Sequence, residues 1–130
     1  MKSIVGTWRL VEAAAHDPDG NELLAPYGGS GMGRVAFTAE GRMMAVVCDG
    51  RPALPADVKR DYSSYCGNYT VDGDRLVTRV DAASDPARIG TDQVRDVSFD
   101  GERMILRPPP RQAGGRTEQR VLTWERVSGV

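Results

Sequence analysis

The sequence holds a single histidine, His16, in 130 residues. That count excludes a multi-histidine metal site and argues against a His-dependent catalytic triad. His16 precedes the turn Asp17-Pro18-Asp19-Gly20, so it reads as a solvent-exposed loop residue and a poor haem ligand. There are two cysteines, Cys48 and Cys66. Two fall short of the four ligands of a structural zinc site, and no base neighbours either one, so they read as small hydrophobes with reduced thiols. There is no excess of positive charge: 17 basic residues face 18 acidic ones, for a net charge of -1. A nucleic-acid partner is therefore not expected, because phosphate binding needs clustered Lys and Arg. No apolar run approaches the roughly 20 residues of a membrane-spanning helix. The opening Met1-Lys2-Ser3-Ile4-Val5-Gly6 holds no apolar stretch of signal-peptide length, so a cytoplasmic protein without a membrane partner is expected. Linkers, repeats and like-charge blocks are missing too, which leaves residues 1–130 as a single domain.

What the chain does have is punctuation. Fifteen glycines and eight prolines are spread along its length, between short apolar stretches. That is the pattern of an antiparallel sandwich or barrel. Gly6–Ala14 starts with Gly6, Trp8 and Leu10 on one face under a period of two. Asn21–Tyr27 reads as a weak strand, and Gly28–Gly33 as a glycine-rich rim loop able to act as a lid. It lacks the Lys-Ser/Thr of a phosphate-binding loop. Further strands are expected over Arg34–Thr38, Arg42–Cys48, Gly67–Val71, Arg75–Asp81, Ile89–Phe99, Arg103–Arg107 and Arg116–Val127. Ala56–Tyr65 is the one helix candidate, with Pro55 at its start and Val58, Tyr62 and Tyr65 on one stripe. The expected fold is all-β: an antiparallel barrel of about 8–10 strands with one short helix. The acidic turns at Asp72-Gly73-Asp74 and Asp100-Gly101-Glu102 match no EF-hand loop and are explained by turn chemistry. No metal site is expected.

The two ends of the chain belong together. Gly6-Thr7-Trp8 opens the first strand and Trp124-Glu125-Arg126 closes the last. This resembles the lipocalin and wider calycin pattern, in which an arginine from the last strand packs across the first-strand indole. The resemblance implies a structural Trp8–Arg126 pair at the closed end of the barrel. Gly6–Val11, Pro26-Tyr27-Gly28, Gly33-Arg34 and Thr38–Met43 extend the likeness, with Tyr65, Gly67, Tyr69-Thr70-Val71, Gly90–Arg95 and Leu122–Val127. Over almost its whole length the chain is similar to the bacterial lipocalin-like domain family. That likeness implies a small barrel with a ligand-sized cavity, and it is not specific for an activity. Family members often carry paired histidines on the strand that here reads Leu76-Val77-Thr78-Arg79-Val80. This chain has Thr78 and Arg79 there, so any activity using those histidines is in doubt, while Arg79 keeps a basic, hydrogen-bonding group.

Candidate site residues follow from alternation. Thr91, Gln93, Arg95, Val97 and Phe99 share one strand face, and Asp92, Val94, Asp96 and Ser98 share the other. Acidic residues prefer water, so Gln93, Arg95, Val97 and Phe99 are expected to point inward. Arg95 and Gln93 then form either a structural network with Tyr65 or Tyr69, or a polar anchor for a ligand carboxylate, enolate or carbonyl. Tyr62, Tyr65 and Tyr69 either pack the helix on the barrel or line the cavity. Met43 is a soft wall residue, with core filling as its plainer role.

Two functions of different class fit. The first is binding of a small hydrophobic or aromatic metabolite by Gln93, Tyr65, Tyr62, Val97, Phe99 and Met43. The second is a cofactor-free isomerase or cyclase acting on a natural-product intermediate, with Arg95, Tyr69 and Arg79 stabilising developing negative charge. A third, an interaction module with a filled interior, needs no cavity. No cofactor is expected, and exposed strand edges would favour a homodimer.

Overall fold

The computed structural model describes residues 2–128. Nine strands follow one another: β1 (Gly6–His16), β2 (Gly31–Phe37), β3 (Arg42–Asp49), β4 (Tyr62–Asp72), β5 (Arg75–Ala83), β6 (Asp92–Asp100), β7 (Arg103–Arg107), β8 (Arg111–Ala113) and β9 (Arg116–Ser128). Every pairing is antiparallel, and β1 pairs with both β2 and β9. Eight strands, β1 to β7 and β9, thus close into a barrel, while the short β8 only lengthens β9 as a hairpin arm. Closure removes the exposed edges that an open sheet of this size would present.

Short connections impose the up-and-down order. Thr38 to Gly41 links β2 to β3, with Thr38 N–H bonded to Arg42 O at 2.8 Å. Asp72-Gly73-Asp74 and Asp100-Gly101-Glu102 fill the expected turns. Gly67 sits where β4 and β5 shift register, and a Cβ there would fall 1.9 Å from the Arg79 carbonyl oxygen. Only glycine lets the two backbones approach so closely.

The expected helix over Ala56–Tyr65 does not form. Among the described residues the only helical turns are two short 3-10 turns, Pro26–Gly29 and Pro86–Arg88. Residues 56–61 are loop, and Tyr62-Ser63-Ser64-Tyr65 begins β4, paired with β3 over Ala45, Val46, Val47 and Cys48. A ten-residue helix is marginal without a packing surface, and Val58 remains exposed. The tyrosines instead take a ladder, which suits aromatic side chains. Asn21–Tyr27 forms one isolated bridge, His16 to Glu22, and then the first 3-10 turn. The glycine-rich run divides: Gly28 and Gly29 lie in that turn, and Gly31 to Gly33 belong to β2.

The closed end carries the expected pair. Trp8 is 1% exposed and donates its indole N–H to Ile4 O at 2.9 Å. The Arg126 guanidinium lies 4.2 Å from the Trp8 ring centroid and donates to the carbonyls of Ser3 and Val5. The cation covers the ring face while its N–H groups satisfy backbone oxygens of the N-terminal segment. Phe99, Phe37 and Tyr69 extend this aromatic floor, with Trp8–Phe99 centroids at 6.5 Å and Phe37–Tyr69 at 5.1 Å.

Candidate ligand cavity

A cavity of about 170 Å³ occupies the other half of the barrel. Its apolar wall is Val35, Met43, Ala45, Val47, Leu76, Leu106, Leu122 and Trp124. These side chains point inward because each strand alternates: Met43, Ala45 and Val47 on β3, Leu122 and Trp124 on β9. Tyr27, Tyr65, Arg88, Arg95, Arg111, Glu118 and Arg120 surround its outer part. A chain of net charge -1 therefore gathers four guanidiniums around one carboxylate at this cavity. Low-dielectric walls concentrate such a field.

The arginines are not equivalent. Arg120 and Arg111 both donate to Glu118 Oε1, at 2.9 and 2.8 Å. Arg120 also lies 5.9 Å from the Tyr27 ring centroid. Arg95 and Arg88 are half-buried and have no carboxylate partner among the described residues. Arg95 donates to Val94 O at 2.7 Å and weakly to Gln93 Oε1 at 3.4 Å. Arg88 donates to Ser63 Oγ at 3.1 Å and sits 5.6 Å from the Tyr65 ring centroid. Burial opposes the ionisation of Glu118, but the hydrogen bonds from Arg120 and Arg111 together outweigh it and hold its carboxyl below the usual range.

That balance has a pH consequence. A carboxyl whose native pKa lies below its unfolded value, here 4.5, stabilises the fold fully above that value. The contribution is lost as pH falls through the lower native value. Glu118→Gln is expected to remove this part of the stability gain between low and neutral pH. Denaturant midpoints of both proteins across the acid range check it; parallel curves would count against the ion pair.

Tyr27 reaches the cavity from an unusual backbone. Its φ of 57° and ψ of 37° are left-handed, which costs a non-glycine residue of order 1–3 kcal/mol. The turn is held from outside by Arg51, whose guanidinium lies against Gly28. Arg51 in turn donates to the buried Asp49 carboxylate at 2.6 Å, and Arg60 donates to the Asp49 and Arg51 carbonyls. The side-chain hydrogen bond from Arg51 keeps the Asp49 carboxyl below the usual carboxylate range. Burial, the largest influence on Tyr27, pushes its phenol above the ordinary value against the nearby Arg120.

The expected site residues divide three ways. Arg95, Tyr65 and Met43 line the cavity. The inner face of β6 is the one expected, since Gln93 and Arg95 pair with Thr78 and Leu76 and Val97 lies in the core. Gln93 Oε1 accepts from Arg95 and its Nε2 donates to Thr91, and among the described residues no tyrosine joins their network. Val97 and Phe99 continue down that face, but they belong to the packed core and floor and do not line the cavity. Tyr69 also lies outside it: its hydroxyl donates to Thr38 O at 2.7 Å and its ring packs on Phe37. Burial, followed by the charge of Glu40, raises the pKa of that phenol.

Two expected residues face outward. Arg79 is on the barrel exterior, paired with Asp92 at 3.3 Å. Thr78 beside it is buried, so alternation turns Arg79 to solvent. Tyr62 is 55% exposed, with its hydroxyl on Ser64. It borders a shallow depression of about 620 Å³ across the outer faces of β2 to β5, beside Met44, Val46 and Cys66. Arg95, Tyr69 and Arg79 are thus not assembled at one point. Cys48 and Cys66 are free and half-buried, and they pair across the ladder with Tyr62 and Met44, not with each other.

Alternation offered a signal for part of what was missed. Leu122 and Trp124 set an inward parity on β9, and Glu118 and Arg120 share it. Tyr27 and Arg88 come from the 3-10 turns, where no sequence period tells which way a side chain faces.

A family model described as a lipocalin-like domain matches residues 5–127. Among solved structures, an uncharacterized protein from Bacteroides eggerthii is similar to this chain at 15% identity and a TM-score of 0.44. That likeness covers 93% of this chain and 98% of that one. No curated protein matches the chain.

Proposed function

The chain belongs to the lipocalin-like domain family, whose barrel suggests ligand binding in general, and from that premise we propose that it binds a small organic anion with a compact apolar body. The observation that carries this is the pair Arg88 and Arg95. Both are half-buried at one cavity, and neither has a carboxylate partner among the described residues. A guanidinium withdrawn from water without a counter-ion is costly, and a ligand carboxylate or enolate offsets that cost with a two-pronged hydrogen bond.

Size decides the apolar part. A cavity of about 170 Å³ compares with the ~150 Å³ apolar cavity that accepts benzene, and lies below the ~300–1,000 Å³ of most drug-sized sites. One ring, or an alkyl body of similar bulk, fills it. An extended polyene or polyketide does not. The isomerase or cyclase reading gains no support from the arrangement, because its three expected donors are dispersed.

Calorimetric titration with benzoate and with methyl benzoate tests the proposal. Benzoate is expected to bind at least about tenfold more tightly, with modest weakening by salt because the site is partly shielded. Equal binding of the ester would defeat the anion reading.

A further inference from the structure

Tyr27 brings a free phenol to the arginine end of the cavity. Two other tyrosine hydroxyls are already bonded: Tyr69 donates to Thr38 O at 2.7 Å, and Tyr62 to Ser64 Oγ at 3.2 Å. The Tyr27 hydroxyl has no such partner among the described residues. Among those residues Trp124 Nε1 is the one fully buried side-chain polar atom left unpartnered, so the half-buried Tyr27 keeps its hydroxyl accessible. Tyr65 also lines the cavity with an unpartnered hydroxyl, but it comes from the regular ladder of β4.

The backbone singles Tyr27 out. Tyr27 and Asp57 are the two non-glycine residues with positive φ among the described residues. An aspartate tolerates that region through its short polar side chain, and a bulky aromatic does not. Gly28 and Gly29 follow at once, with φ of 66° and 73°, yet the strained position beside them carries a tyrosine. Strain of this kind persists where the surroundings over-determine it, and it clusters at ligand clamps. Here the surroundings are the Arg51 guanidinium against Gly28, and the Asp49 carboxylate that holds Arg51 at 3.0 and 2.6 Å. On the cavity side the Tyr27 ring lies 5.9 Å from the Arg120 guanidinium, and the phenol stands in the field of Arg120, Arg88 and Arg95. Burial raises its pKa, so at neutral pH it is a donor.

Resting on the anion reading above, we infer that the Tyr27 hydroxyl donates to the ligand's acid group and sets the preference of the site for an ionised acid over its neutral ester. A carboxylate offers two oxygens and about four lone-pair positions, so Arg88 and Arg95 leave room for a further donor. A hydrogen bond to an ionised acceptor is roughly twice as strong as one to a neutral acceptor, which lets a neutral phenol discriminate. The ring needs no new position for this role, because the turn fixes it before the ligand arrives.

Tyr27→Phe removes the hydroxyl and keeps the ring. Its benzoate affinity is expected to fall about tenfold, the effect of one charge-assisted hydrogen bond, while methyl benzoate changes by less than about threefold. The melting temperature is expected to hold, since the hydroxyl has no protein partner among the described residues. In protein carrying tyrosine labelled with ¹³C at Cζ, the Tyr27 signal is expected to move downfield with benzoate, with Tyr62 and Tyr69 as internal references. The NMR measurement decides the matter should Tyr27→Phe fail to fold. Unchanged benzoate affinity in Tyr27→Phe, an equal loss for acid and ester, or a Tyr27 signal that stays still at saturating benzoate overturns this inference and leaves the anion reading standing. Failure of wild type to bind benzoate overturns the anion reading, and this inference with it.

Discussion

Trp8→Ala is expected to lower stability by roughly 3–5 kcal/mol. The indole is the plug of the closed end, 1% exposed and beside Phe99. Its removal leaves a void that the closed ladder of β1, β2 and β9 cannot collapse to fill. It also orphans the Ile4 carbonyl that accepts the indole N–H, and takes the ring from beneath the Arg126 guanidinium. Arg126→Ala should cost less, about 1–2 kcal/mol, because only the cation–π contact and its carbonyl bonds are lost. Denaturant unfolding of both variants measures the order. A Trp8→Ala midpoint close to wild type, or a larger loss for Arg126→Ala, would show that the plug is not what secures this end.

Arg95→Met is expected to weaken benzoate binding by about tenfold to a hundredfold, the range of one charge-assisted hydrogen-bonded contact. The protein should stay folded. Arg95 has no carboxylate partner among the described residues, and its bonds reach only Val94 O and Gln93. Exchanging a half-buried unpaired charge for an apolar side chain of similar length is neutral or stabilising. The melting temperature is therefore expected to hold or rise while affinity falls. Arg79→Met serves as the control, since its guanidinium pairs with Asp92 on the barrel exterior and should leave binding unchanged. Unfolding of Arg95→Met would make Arg95 a structural residue. Loss of binding in Arg79→Met would place the ligand outside the barrel.

Where alternation was strong, the sequence was legible. Trp8 and Leu10 on β1, and Val97 with Arg95 on β6, declared their inner faces by residue type alone. The Trp8–Arg126 pair was legible because one motif stands at each end of the chain. The helix over Ala56–Tyr65 was misread because Val58, Tyr62 and Tyr65 satisfy a helical stripe by spacing. The deciding fact is non-local: β3 offers a ladder to residues 62–65, and β5 joins β4 from Tyr65 onward. Arg79 was misassigned for a related reason. Arg79 stands one residue from the buried Thr78, and one step along a strand reverses the side chain. Tyr27 and Arg88 were out of reach because turns place them, and Tyr27 does so from a left-handed backbone that residue type does not announce.

On the proposed function, this barrel holds a small acid at Arg88 and Arg95. Native mass spectrometry of the protein purified from its own cells, with the released molecules identified, tests it most directly. The expected result is a retained compound with one acid group and an apolar body no larger than about one ring, matched to a cavity of about 170 Å³. A retained neutral molecule, or a long polyene or acyl chain, would contradict it.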